Sequence, residues 1–229
     1  GIINCDRYKA YLKFVRLYEG TILLAFCWAH VRRDFLSLAN KYPKEEPWAL
    51  DWVKKISILY HINSQRISFV KESKEFEKYD QKLRQDVTEF SNTVTQQLKN
   101  EAIPPHCKKV LKSLTEHWKG LTVFLDHPKI SMDNNKAERN IRSPVVGRKN
   151  YYGSGSKKMG HFAVIMFSII QTLFLWKINP KKWLIWYFSS CSKHGGKPQS
   201  VEAFLPWNID VEKRKDLYLL NNENPFDTS

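Results

Sequence analysis

Acidic side chains are missing from a long stretch of this chain. Between Arg139 and Val201 there is no Asp or Glu, while Arg139, Arg142, Arg148, Lys149, Lys157, Lys158, Lys177, Lys181, Lys182, Lys193 and Lys197 recur through it. Those cations supply most of a net charge of +14. An excess of this size favours a polyanionic partner through counterion release and steering, with nucleic acid ahead of an anionic membrane surface. Cysteine is scarce as well. Cys5, Cys27, Cys107 and Cys191 are scattered, with no pair at disulfide-framework spacing, which points to a reducing compartment. No apolar run reaches the roughly twenty residues of a membrane span. The longest, Phe162 to Trp176, contains Ser168, Gln171 and Thr172 and reads as a buried core helix. A signal peptide is not expected, because the start turns polar by Asn4 and Asp6. The chain opens on Gly1 without an initiator Met, so a piece of something longer, or a trimmed chain, is expected. Internal repeats and low-complexity tracts are absent.

What is present supports a folded core. Hydrophobic residues make up 42% of the chain, with eight Trp and thirteen Phe, against global disorder. Residues 1–5 read as a short strand ending at Asp6. Tyr8, Tyr11, Leu12, Val15 and Leu17 follow at near-helical spacing, and Gly20 stops that helix. Residues 21–26 read as a buried strand and residues 28–42 as a helix closed by Pro43. This order predicts two parallel strands joined by a crossover helix. From residue 44 to about 130 apolar residues recur at helical spacing (Trp48, Trp52, Ile56, Leu59), and Pro104-Pro105 divides this all-helical region. Asp133 is placed to cap a new helix. Gly147, Gly153, Gly155 and Gly160 mark a loop or hairpin around Tyr151-Tyr152. A hydrophobic helix over about 158–177 and another from Pro180 follow. Gly195-Gly196 and Pro198 mark a linker, 201–207 a short element, and the residues after Ile209 a polar, frayed tail.

Several residues are candidates for chemistry. Glu138 shares a helix face with Asn134, Asn135, Ile141 and Arg142. Two readings are open: a surface pair with Arg142, or a metal-holding carboxylate at the head of a phosphate-binding surface. Asp6, at the end of a strand, is either a metal ligand or the cap of the next helix. Cys27-x-x-His30 is half of a zinc site. No second paired motif completes it, although His106-Cys107 and Cys191 with His194 are distant partners to consider, so packing or hydrogen bonding is favoured for His30. Arg32 and Arg33 are phosphate contacts or ordinary helix surface. Arg148-Lys149-Asn150-Tyr151-Tyr152 interleaves cations with aromatics, suited to phosphate contact and base stacking, or else forms a solvated hairpin.

Taken together, the motifs resemble the insertion sequence 66 family of bacterial DDE transposases. Asp6-Arg7-Tyr8-Lys9-Ala10-Tyr11 is similar to the family's Asp-Gly-Tyr-x-x-Tyr, with Arg7 in place of Gly. Residues 27–35 resemble its Cys-Trp-Ala-His-x-Arg-Arg-x-Phe. Residues 133–142 resemble its Asp-Asn-Asn-x-Ala-Glu-Arg-x-Ile-Arg, continued by Gly147-Arg148-Lys149-Asn150, and Leu205-Pro206-Trp207 resembles a motif near its C-terminus.

The resemblance implies an α/β, predominantly helical chain: a partial RNase H-like core that keeps two parallel strands, with an all-helical insertion. Residues 1–43 are then the strand–helix–strand–helix part of the core and 44–130 the insertion. Residues 131–194 hold the Glu-bearing helix with the following hairpin and helices, and 195–229 a linker, short C-terminal element and tail. It implies two divalent metals, Mg²⁺ or Mn²⁺, held by Asp, Asp and Glu, with Asp6 matching the second carboxylate and Glu138 the third. It implies DNA as partner, contacted by Arg32, Arg33, Arg139, Arg142, Arg148, Lys149, Asn150 and Tyr151, and a cytoplasmic, nucleoid-associated bacterial protein. An oligomer, or association with an intact transposase, fits the same picture; a membrane does not. Cys27, His30, Asn134 and Asn135 belong to motifs without an assigned role. The first catalytic Asp has no counterpart before Asp6, and Asp34 and Asp51 fall on helices. The chain is therefore expected to hold metal weakly or not at all and to be inactive alone. A non-catalytic DNA-binding remnant is the competing expectation.

Overall fold

The computed structural model of the chain describes residues 1–18, 21–150 and 154–219, without the side chains of Ser143, Arg148 and Asn150. The chain divides into two compact units, Gly1–Lys136 and Ala137–Ser229.

The first unit begins with strand β1 (Ile2–Cys5), helix α1 (Lys9–Leu17), strand β2 (Leu23–Phe26) and helix α2 (Trp28–Lys41). The two strands pair in parallel, Ile2 opposite Leu23 through Cys5 opposite Phe26, as the alternating element types predict. In α2, Trp28, Val31, Phe35 and Leu38 recur at helical spacing, and that stripe is buried. Helix α3 (Glu46–Ser68) follows, with Pro47 in its first turn where its missing N–H costs nothing. Helix α4 (Lys74–Lys99) is capped by the Ser73 hydroxyl, which accepts from the Phe76 amide at 3.1 Å. Helix α5 (Pro105–Glu116) starts at the expected Pro104-Pro105 break, and two short helices, α6 (Trp118–Leu121) and α7 (Val123–Asp126), complete the insertion.

The core of this unit joins strands and insertion in one apolar cluster that includes Leu24, Phe26, Trp28, Phe35, Trp52, Ile56, Leu83, Phe90, Leu111 and Phe124. Trp28 lies fully buried at its centre. Its ring meets Phe90, Trp118 and Phe124 edge-on at centroid distances of 5.6, 6.1 and 6.5 Å, and its indole N–H donates to the Leu121 carbonyl at 2.7 Å. Phe26 packs so closely on α6 that Gly120 has no room for a side chain. Arg66 is wholly buried. It pairs with Asp80 at 2.7 Å and donates to the Phe124 and Leu125 carbonyls, closing the end of α7.

Helix α8 (Asn135–Asn150) leads into the second unit, which continues with α9 (Lys157–Leu175), α10 (Pro180–Lys193), a 3₁₀ turn at Glu202–Phe204 and α11 (Val211–Asp216). Ser156, Asn179 and Asp210 cap the last three helices with side-chain oxygens. The core here is Leu173, Ile178, Trp183, Phe204, Ile209 and Leu217, with the Trp183 indole donating to the Phe204 carbonyl at 3.0 Å.

Three expectations are corrected in this unit. Gly147 does not open a hairpin: α8 runs through it and through Pro144, and Gly160 lies inside α9. A helical glycine costs only about 1 kcal/mol, so it punctuates a sequence more firmly than it punctuates a structure. Tyr151, Tyr152 and Gly153 lie outside the described residues. Second, α9 is not a buried core helix. Only Leu173 on it is buried, while Phe162, Val164 and Leu175 are more than half exposed. Its 19 residues also reach the length and hydropathy of a membrane span, a criterion that core helices of soluble proteins meet equally. Third, residues 210–219, expected to belong to a frayed tail, are packed: Leu217 and Leu219 are buried and Ile178 bridges Tyr218.

Candidate functional site

Parallel pairing brings the C-terminal ends of β1 and β2 side by side, and the chemistry-bearing motifs leave from those ends. Asp6 follows β1. Its carboxylate is half-buried and accepts the Tyr8 amide at 3.0 Å in a turn before α1; Asp6 is not the cap weighed from sequence, because Tyr8 holds the N-cap position and no side chain caps that helix. Arg7 turns the other way, its guanidinium paired with Asp34 on α2 and donating to the Ser113 hydroxyl on α5 at 3.1 Å. Asp34 is thus committed to a structural pair.

Cys27 follows β2, and its amide donates to the Cys5 carbonyl at 3.0 Å. Both thiols are buried. Burial first, then the negative charge of Asp6, pushes Cys5 up to about 11. Burial raises Cys27 as well, while the nearby backbone amides of Asn134, His30 and Ala29 oppose that rise. The Cys27 motif thus lies close to a second motif more than a hundred residues on in sequence.

The second of those motifs is laid across the strand ends. The Trp28 amide donates to the Met132 carbonyl at 2.8 Å. The Asn4 side-chain amide donates to the Ser131 carbonyl at 2.7 Å and to the Asp133 carbonyl at 3.1 Å. The Asp133 carboxylate accepts the Asn135 amide at 3.1 Å, two residues on, which starts α8. Tyr60, on α3, buries its hydroxyl without a hydrogen-bond partner; burial first, then the negative charges of Asp133 and Cys27, raises its pKa, while Arg32 opposes them.

Asn4, Tyr60 and the Arg7–Asp34–Ser113 contacts were not among the residues singled out from sequence. Asn4 carried a signal, as the one polar residue in an otherwise apolar strand. Tyr60 carried none, because an aromatic on an amphipathic helix reads as core.

Of the remaining candidates, Arg32 and Arg33 are exposed on α2. Glu138 is half-exposed in the first turn of α8, and Arg139, Arg142 and Lys149 are exposed along the same helix. Asp6 belongs to the first unit and Glu138 to the second. The side chains of Arg148 and Asn150, and all of Tyr151, lie outside the described residues. Among the described residues no three His, Cys, Asp or Glu gather as a metal cage. His106 instead stacks on Tyr42 at 3.9 Å, and Cys107 packs with Leu38, Ala39 and Ala49.

Comparison with known proteins places these motifs. Residues 1–161 match the Transposase IS66 family. The uncharacterized protein y4hP of Sinorhizobium fredii (strain NBRC 101917 / NGR234) is 28% identical over 222 residues, covering 90% of this chain and 39% of that protein. The uncharacterized protein y4jD of the same strain is 28% identical over 226 residues, covering 93% of this chain and 42% of its own length. The chain spans about two fifths of the length of these curated relatives. No solved structure matches.

Proposed function

The chain belongs to the IS66 family of transposases, and from that premise we propose that it carries the later part of a DDE catalytic domain: two of three metal-binding carboxylates, Asp6 and Glu138, and much of the surface that holds DNA. One observation carries this reading. The segment that begins the Glu138 helix is hydrogen-bonded, through Asn4 and Trp28, to the strand end that presents Asp6. A carboxylate at the C-terminal edge of a parallel pair is where open α/β sheets place ligands. The parallel pair followed by helices supports the reading of a partial RNase H-like core with a helical insertion.

Carboxylate oxygens are the donors that a hard divalent cation such as Mg²⁺ or Mn²⁺ takes. When bound, the metals activate a water or 3′-hydroxyl and steady the leaving oxygen during strand cleavage and joining. Asp6 and Glu138 would hold them. Two carboxylates hold a cation weakly, so residues 1–229 alone bind DNA without cutting it. Arg139, Arg142 and Lys149, exposed on α8, meet phosphates; Arg148, Asn150 and Tyr151 are given the same role from the sequence motif alone. The setting is the nucleoid of a bacterial cytoplasm, with an intact transposase or a second copy as companion.

The test is binding of labelled insertion-sequence ends at stepped salt, followed by incubation with Mg²⁺ or Mn²⁺. Arg142→Ala and Lys149→Ala are each expected to weaken binding and to lower the salt slope by about one. Absence of affinity at low salt removes the DNA reading. Cutting that Glu138→Gln abolishes overturns the inactivity. Binding indifferent to Asp6→Asn and Glu138→Gln, in a protein that takes no metal, favours the non-catalytic remnant.

A further inference from the structure

The second unit carries an apolar groove that the transposition reading leaves unused. One wall is α9, on which Phe162, Met166 and Ile169 recur at helical spacing, and the other is α10, with Leu184 and Phe188. Leu205, Pro206 and Trp207, a motif without a role so far, close the third side. The groove holds about 530 Å³, within the range of ligand pockets. Trp183 and Phe204 are buried at its base, while Phe162, Phe188 and Trp207 stand 54%, 60% and 55% exposed at its edges. The edge at Trp207 is held in place. Arg214 donates to the Pro206 carbonyl at 2.6 Å and lies over the Trp176 ring at 5.0 Å, and that ring meets Trp207 at 6.2 Å. Among the described residues no charged side chain lines the groove. The Ser168 and Thr172 hydroxyls on its α9 wall donate to the Val164 and Ser168 carbonyls of their own helix, at 2.9 and 2.7 Å. The walls therefore favour apolar contact.

The surrounding charge has one sign. Every charged residue from Ser154 to Val201 is a lysine, and the first acid beyond is Glu202, exposed beside Val201. Exposed Lys158 continues the α9 stripe one turn before Phe162, and exposed Lys181 continues the α10 stripe before Leu184 and Phe188. A second copy would set these lysines against its own, and like charges face to face disfavour that pairing. A bilayer covers a convex face, whereas this one is concave. From Phe162 to Leu173 the α9 wall runs about 16 Å, roughly three helical turns. We propose that the groove docks an acidic amphipathic helix of another protein, its apolar anchors in the groove and its carboxylates against Lys158 and Lys181. This rests on neither the metal reading nor the DNA reading.

Fluorescence anisotropy on residues 1–229 tests it. The probe is a labelled Ala/Glu peptide of about 15 residues with Leu at i, i+4, i+7 and i+11, alongside its counterpart with every Glu changed to Lys. The acidic peptide is expected to bind saturably and more weakly as salt rises. Phe188→Ala and Trp207→Ala are each expected to weaken it about tenfold, the scale of a hot-spot side chain, with the melting temperature unchanged because both side chains are exposed. Lys181→Glu should weaken it too. No saturable binding, equal binding of the Lys counterpart, or indifference to both aromatic variants overturns the proposal. Three further measurements on parent and Phe188→Ala guard its choice of partner. A dimer in sedimentation that the variant loses makes the groove a self-interface, and cosedimentation with phosphatidylglycerol vesicles that the variant loses makes it a membrane surface. Loss of affinity for insertion-sequence ends makes it part of the DNA surface. Each of these three overturns the proposal. Absence of DNA affinity in the parent removes the DNA reading alone and leaves the peptide result to decide.

Discussion

The Arg7 guanidinium is paired with the Asp34 carboxylate, one helix away, while its second nitrogen donates to Ser113. The family pattern resembled here has Gly at this position, so the arginine side chain is an addition that ties the turn after Asp6 to α2 and α5. It also gives the Asp34 carboxylate a structural partner.

Arg7→Gly should therefore cost stability, by about 1 kcal/mol for a partly exposed ion pair with one extra hydrogen bond. Urea melts of Arg7→Gly, Asp34→Ala and the double variant give the coupling directly. Strict additivity would show that the pair contributes nothing.

Gly120 should not accept a methyl group. A Cβ there would lie 2.3 Å from Phe26 Cδ2 and 3.0 Å from the Leu24 carbonyl oxygen. Gly120→Ala is expected to destabilise the first unit by about 1–3 kcal/mol, as overpacking does, and Phe26→Leu should relieve part of it. A melting temperature equal to the parent's is the contrary result.

Arg66→Ala should be the most damaging change among these four. It would strip Asp80 of a buried partner and leave the Phe124 carbonyl without its donor, while Arg84 still serves Asp80 and the Leu125 carbonyl, at a cost of about 3 kcal/mol. Burial by itself would raise the Asp80 carboxyl, but the hydrogen bonds and charges of Arg84 and Arg66 outweigh it and hold it below its ordinary value. A carboxyl depressed in the folded state contributes stability above its unfolded pKa of about 3.9, and that contribution is lost as pH falls through the folded value. Denaturant melts from pH 6 down to pH 3 should show this acid-side loss in the parent and a shallower one in Arg66→Ala.

Thiol reactivity should separate the cysteines. Cys5, Cys27 and Cys107 are buried, and burial pushes Cys5 and Cys107 up to about 11. Only Cys191, half-buried, should react promptly with a disulfide reagent at pH 8. Because the thiol pKa is raised on folding, its stabilising contribution is complete below about pH 8.5 and disappears as pH climbs towards the folded value. Prompt titration of all four cysteines without denaturant would contradict the packing around the strand ends.

The parts of this fold that were legible in the sequence are those where one physical signal dominates. The apolar runs at Ile2-Ile3 and Leu23 to Phe26, with a helix between, predict the parallel pair, and the stripe Trp28, Val31, Phe35, Leu38 predicts α2. Pro104-Pro105 marks the start of α5. What stayed hidden depends on tertiary context. Arg66 reads as a surface charge until Asp80 and the α7 carbonyls are brought to it. Helix α8 contains Pro144 and Gly147, each a breaker by local rule, and forms regardless. In the candidate site, Asp6 and the 133–142 motif were visible as residue types. The contacts that hold the segment before that motif, from Asn4 and Trp28, span sequence distances that no local pattern records.

Those distances also set an order of events. Asn4 is bonded to Ser131, 127 residues away, whereas α3 and α4 are neighbours in sequence and pack on each other. Local helix pairs form early, and contacts that close long loops form late. During synthesis β1 emerges before the insertion, yet its end is secured only after the whole insertion and residue 131 have left the ribosome. A nascent chain stalled before that residue would hold a folded helical insertion and an unsecured strand, so limited proteolysis of stalled chains should cut first on the N-terminal side of α2.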